Sequence, residues 1–137
     1  AGRVGIRLSP YGAFNDMIVY EGMEDTFEML ATELNRIGLV HLHIVDHSSM
    51  GAPEVKPSIK QKLRERFKGA IILSGGYDVM RAEADLTGKR ADLIAFGRPF
   101  ISNPKLVGKL EQDLPLISPD PNTFYTAGDR GYVDYPA

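Results

Sequence analysis

A chain of 137 residues with a net charge of -2, 43% hydrophobic and 25% charged, can bury a core and has no basic field to attract nucleic acid or a membrane surface. No apolar run approaches the roughly 20 residues of a membrane span, and the absence of Cys excludes disulfides and thiolate metal ligands. A cytoplasmic location without nucleic-acid or membrane partners is the default expectation.

The chain enters a strand-like run by Val4, directly after Ala1-Gly2-Arg3 and without Met or a cap. The expectation is a piece of a longer polypeptide. Val4 to Leu8 reads as a first strand, stopped by Ser9-Pro10 and Gly12. Arg7 is out of place there, because a guanidinium in an apolar strand is costly unless something anionic or rich in acceptors meets it. A loop runs to Gly22. Asp25 and Glu28 then stand at capping-box spacing, Phe27, Leu30, Leu34 and Ile37 repeat at helical period, and Gly38 supplies the stop.

The unit recurs. Val40 to Val45 alternates as a strand, and Ile59, Leu63 and Phe67 mark a second helix ending by Gly69. Ala70 to Leu73 is a wholly apolar third strand, broken by Ser74-Gly75-Gly76. Asp78 is placed to cap a short helix from about Val79 to Leu86, with Gly88 as its stop. Ala91 to Phe96 is the fourth strand. The fourth helix is expected to take Asn103 as N-cap and Pro104 at N1, with Leu106, Val107 and Leu110 inside. Past Asp113 the composition turns proline-rich and aromatic, and residues 114–137 read as an ordered tail packed through Phe124, Tyr125, Tyr132 and Tyr135.

Four successive strand–helix units over 1–113 argue for an α/β chain with a parallel sheet. An open four-stranded sheet and half of a TIM-type (β/α)8 barrel, usually about 250 residues in all, both suit the pattern. The abrupt start and the bare edges of an open sheet favour the half-barrel. The reading is a single domain, incomplete without an N-terminal half.

Two glycine signals close successive strands, Ser74-Gly75-Gly76 and Gly97-Arg98. Glycine lets an anion approach backbone N–H groups, and an arginine fork matches phosphate oxygens. Loops after the last two strands of barrels commonly form such a seat. Neither a Walker loop nor a dinucleotide fingerprint occurs. His41, His43 and His47 with Asp46 could ligate a metal, but the first two fall mid-strand, and they read better as barrel-lining histidines. No nucleophile motif is present around Ser48-Ser49. Arg7, at a distance from the phosphate seat, and Phe124-Tyr125 would together suit a cofactor with a flat ring at one end and a phosphate at the other. A positive charge beside a flavin's N1/O2 side would stabilise its reduced, anionic ring.

The segments Gly5-Ile6-Arg7-Leu8-Ser9-Pro10-Tyr11-Gly12, Ser74-Gly75-Gly76-Tyr77, Phe96 to Pro104, Asp120 to Tyr125 and Gly131 to Pro136 resemble the Old Yellow Enzyme family, FMN-dependent ene-reductases built on a (β/α) barrel. The resemblance implies that Arg7 contacts the pyrimidine edge of FMN, and that Ser74, Gly75, Gly76, Gly97 and Arg98 belong to the phosphate seat. Phe124 and Tyr125 then stand beside the dimethylbenzene end and the substrate entrance. It also implies NAD(P)H as reductant and an activated alkene as substrate. The substrate-anchoring pair and the proton-donating tyrosine are expected on an N-terminal half, leaving no catalytic residue and no metal on this chain. The expected partner is that complementary half-barrel, with an oligomer possible. The alternatives are a self-associating half-barrel that binds FMN or phosphate without turnover and, more remotely, a phosphate-binding fragment of an aldolase- or isomerase-type barrel.

Overall fold

The computed structural model describes residues 2–136. They fall into two compact units, divided between Ala95 and Phe96.

The first unit holds β1 (Gly5–Leu8), α1 (Met23–Ile37), β2 (His41–Val45), α2 (Pro57–Arg66), β3 (Ala70–Ser74), α3 (Val79–Thr87) and β4 (Leu93–Ala95), with a 3-10 turn at Ser48–Met50. Its four strands form one parallel sheet in the order β1-β2-β3-β4. All four carboxyl ends therefore lie along one edge.

Alternation gives the sheet two unlike faces. On one, Leu8, Leu42, Ile44, Ile71 and Leu73 are buried. The helices cover that side with Ala31 and Leu34 of α1, Ile59 and Leu63 of α2, and Phe67 just beyond. On the other face, the registers put Arg7, His43, Ile72 and Leu93 in one row and Gly5, His41 and Ala70 in another. No helix of the first unit covers that side, and Leu93 is 55% exposed.

Helix ends follow local chemistry, with one correction. Gly38 closes α1 in the left-handed region, and the Asp78 carboxylate accepts the Arg81 N–H to cap α3, as the sequence predicts. The predicted capping box at Asp25 and Glu28 does not form. Helix α1 starts two residues earlier, behind Gly22 at φ 78°. The Glu28 carboxylate is already taken on α2, by Arg66 at 2.7–2.8 Å and Lys62 at 3.3 Å. Arg64 hydrogen-bonds the Phe67 and Gly69 carbonyls and the Asp92 carboxylate, which also accepts the Ile71 N–H. The start of β3 is thereby tied to the approach to β4.

The second unit holds α4 (Arg98–Ser102), α5 (Leu106–Glu111) and a 3-10 turn at Pro121–Thr123. Asn103 does not cap a helix that follows it, as the sequence suggests. It ends α4, and its side chain turns back to the Pro99 carbonyl at 2.8 Å. Helix α5 begins only after Lys105. Nor do all the tail aromatics pack: Tyr125 is 99% and Tyr132 81% exposed, while Phe124 and Tyr135 are partly covered.

The two faces predict unequal mutational costs. Leu63→Ala should lower the unfolding free energy by about 2–5 kcal/mol in a denaturant titration. Leu93→Ala, on the uncovered face, should change it by less than about 0.5 kcal/mol.

Candidate functional site

The carboxyl edge of the sheet gathers the loops after β1, β2 and β3 into one interlocked set. Asp46, the first residue beyond β2, is the fastener. Its N–H donates to the Ser74 carbonyl at 2.9 Å. Its buried carboxylate accepts the Ser48 N–H at 2.9 Å and meets Lys60 Nζ of α2 at 3.3 Å. Burial pushes the Asp46 acid up, but the Ser48 hydrogen bonds and the Lys60 charge outweigh it and hold the group below the usual carboxylate range. The loop after β1 joins through Phe14, whose ring meets that of His47 edge-on at 4.9 Å.

Gly75 fits against this fastener. It lies at φ 111°, and a Cβ there would collide with the Asp46 carbonyl oxygen. Backbone packing inside the protein therefore explains Gly75 by itself. Gly76 is also left-handed, at φ 63°, with the nearest contact to a Cβ 3.4 Å away at Ser49. Among the described residues, neither Gly75 nor Gly76 donates its N–H to a protein acceptor.

Arg7 lies on the uncovered face, exposed, and among the described residues no carboxylate or carbonyl pairs with it. Beside it in register is His43, whose Nε2 lies 2.9 Å from Ser74 Oγ. Burial first, then the charges of Arg7 and His41, push the His43 pKa below its ordinary 6.5. The imidazole is thus kept neutral, and it sets the Ser74 hydroxyl on the Arg7 face. Gly5 stands opposite His41 in register, and a Cβ on it would run into that ring.

In the second unit, Gly97 differs from Gly75. Its φ of -104° is open to any residue, and a Cβ would meet nothing within 4 Å. Nothing inside the protein requires glycine there. Arg98, which follows it, is exposed and has no hydrogen bond or ion pair among the described residues. It lines an open groove of about 480 Å³ with Pro99, Leu116, Ile117, Pro119 and Phe124. Two of the sequence-predicted residues, Arg98 and Phe124, are thereby brought together. Tyr125 does not line the groove and touches Phe124 only edge-on, at 6.5 Å between ring centroids. A cation at the rim of an apolar trough suits an anionic group carried on an apolar body.

Sequence reading missed Lys60 and gave other roles to Asp46, weighed beside the histidines as a metal ligand, and to Asn103, taken as a helix cap. Asp46 and Lys60 lie far apart along the chain without a motif, and Asn103-Pro104 imitates a helix start. No group of three or more His, Asp or Glu side chains poised to hold a metal occurs among the described residues. No helix there is long and apolar enough to cross a membrane.

A profile of the NADH:flavin oxidoreductase / NADH oxidase family matches residues 1–116. A 12-oxophytodienoate reductase-like protein of Solanum lycopersicum is 35% identical over 137 residues, covering 99% of this chain and 36% of the relative. A chanoclavine-I aldehyde reductase of Penicillium roqueforti is 34% identical over 142 residues, with 98% and 38% covered. Among solved structures, morphinone reductase superposes with a TM-score of 0.87 at 41% identity, covering 96% of this chain and 35% of that one. An old yellow enzyme homologue from Zymomonas mobilis gives a TM-score of 0.87 at 31% identity, with 97% and 38% covered. The chain thus spans little more than a third of the length of the relatives it matches.

Two measurements check the site. Gly75→Ala should destabilise the chain by about 2–4 kcal/mol and Gly97→Ala by less than about 1 kcal/mol, both read from urea unfolding. Because the unfolded chain binds the His43 proton more readily, this group's contribution to stability is complete above 6.5 and is lost as pH falls through the lower folded value. Unfolding free energy should therefore rise as pH climbs from below 6.5 to above it, and His43→Gln should flatten the rise. An unaltered slope in the variant would assign the pH dependence to other groups.

Proposed function

This chain belongs to the NADH:flavin oxidoreductase / NADH oxidase family, and on that premise we propose that it is the FMN-holding half of an ene-reductase, competent when joined to its N-terminal half-barrel. Its four parallel βα units form half of the (β/α)8 barrel of the solved relatives. The family uses FMN with a nicotinamide reductant, and one morphinone reductase structure holds tetrahydroNAD.

The observation that carries the reading is Arg7: a guanidinium on an uncovered sheet face, with no carboxylate among the described residues to neutralise it. The residues fit the cofactor in other respects. Gly75 and Gly76 keep undonated N–H groups, Gly97 leaves open space where a Cβ would stand, and Arg98 brings an unpaired fork to its groove. When bound, FMN would carry hydride between a nicotinamide and an activated alkene. In the first unit the N–H groups of Gly75 and Gly76 would offer backbone hydrogen bonds to a phosphate, and in the second Arg98 would offer a charge-assisted one. Arg7 would present positive charge to the pyrimidine edge, favouring the anionic reduced ring. Neutral His43 leaves Arg7 as the charged member of its pair and keeps the Ser74 hydroxyl turned to the same side. Phe124 would shield the apolar end of the ring. The groups that anchor the alkene and donate a proton to it would come from the other half.

A second reading draws on the same uncovered face and on the lone partners of β1 and β4. Two copies could cover one another and bind FMN or phosphate without turnover.

Co-expression with the N-terminal half of a relative's barrel should yield a yellow complex that oxidises NADPH. A colourless, inert mixture beside a stable homodimer by intact mass would favour the second reading. In the yellow complex, Arg98→Ala should weaken FMN roughly tenfold or more, the size expected for a charge-assisted hydrogen bond. Arg7→Ala should leave affinity nearly unchanged and move the flavin midpoint potential to more negative values.

A further inference from the structure

The groove at Arg98 is held open by a side chain that does not line it. Asn103 is fully buried, and its amide group is completely engaged. Nδ2 donates to the Pro99 carbonyl at 2.8 Å and to the Ile117 carbonyl at 2.9 Å, with Ser102 Oγ at 3.2 Å. Oδ1 accepts the Ile117 N–H at 3.0 Å and Lys109 Nζ at 3.2 Å. Ser102 Oγ makes a further bond to the same Ile117 carbonyl, at 2.5 Å.

Pro99 and Ile117 both line the trough, together with Arg98 and Phe124. Pro99 belongs to α4, next to Arg98, whereas Ile117 lies in the extended segment after α5, with Phe124 further along. Between those segments a single primary amide supplies a donor to one and both a donor and an acceptor to the other. An aspartate in the same place could not donate to the two carbonyls, and an alanine would strand several buried polar groups.

We infer that Asn103 is the positioning residue of this anion groove, fixing Arg98 and its wall at the spacing the cofactor's phosphate needs. The inference rests on the reading of Arg98 as a phosphate ligand. Asn103 acts through that arginine and does not itself touch the phosphate. Its removal should therefore cost affinity for the phosphate-bearing flavin and spare the flavin that lacks a phosphate. A fold-wide defect would weaken both.

The test is binding of FMN and of riboflavin, by flavin fluorescence, to the reconstituted complex carrying Asn103→Asp, Ser102→Ala, Arg98→Ala or the Asn103→Asp/Arg98→Ala pair. Asn103→Asp is expected to weaken FMN about tenfold and riboflavin by less than about twofold, with no further loss when added to Arg98→Ala. Ser102→Ala, which removes the Ser102 Oγ contacts but leaves the Asn103 bonds to Pro99 and Ile117 in place, is expected to show the same selectivity at smaller size. It carries the test should the aspartate variant fail to fold. Equal loss of FMN and riboflavin, or full additivity with Arg98→Ala, would overturn the positioning role while leaving the Arg98 reading intact. An Arg98→Ala variant that retains wild-type preference for FMN over riboflavin would remove Arg98 from the phosphate, and the role of Asn103 with it.

Discussion

A parallel sheet normally buries both of its faces, and in the first unit this one buries a single face. Leu42, Ile44, Ile71 and Leu73 lie against helices and contribute about 1.5–3 kcal/mol each in apolar burial. The opposite face carries Arg7, His41, His43 and Leu93, a mixture no apolar core would accept without partners. In a closed barrel that face looks inward. The asymmetry accounts for a folded unit that still carries an arginine without a carboxylate on its uncovered face among the described residues.

Two buried polar side chains organise what the strands deliver. Asp46 joins the loops after β2 and β3 through its backbone and ties them to α2 through Lys60. Asn103 joins α4 to the segment that carries Ile117. Each bonds main-chain atoms and also meets a lysine, Lys60 for Asp46 and Lys109 for Asn103, which fixes irregular backbone where no ladder is available. Loops held in this manner can present N–H groups and cations outward.

The strands and the long helices were readable because each rests on a local rule: apolar alternation, helical period, Gly38 at a left-handed stop, Asp78 at a cap. Arg7 was readable as an anomaly, since its cost within a strand required an explanation. The failures have a common cause. Glu28 was predicted to cap its own helix and instead bonds Arg66, 38 residues away. Asn103 was predicted to start a helix and instead bonds Ile117, 14 residues away. A short polar side chain takes the best available partner, and a distant partner leaves no trace in spacing. Gly75 carries a different lesson. It was selected as a candidate phosphate donor, yet the Asp46 carbonyl alone requires glycine there, so its identity and its candidate role have separate causes.

The direction of the strands limits what can complete the sheet. β1 pairs only with β2 and β4 only with β3 among the described residues, so each keeps one flank of unused backbone groups. A neighbour that continued the pattern would have to run the same way, and parallel neighbours cannot be linked by a tight hairpin. An extended peptide or a simple two-stranded flap therefore makes a poor complement. On the half-barrel proposal, a companion that continued the sheet would bring strand–helix units of like polarity.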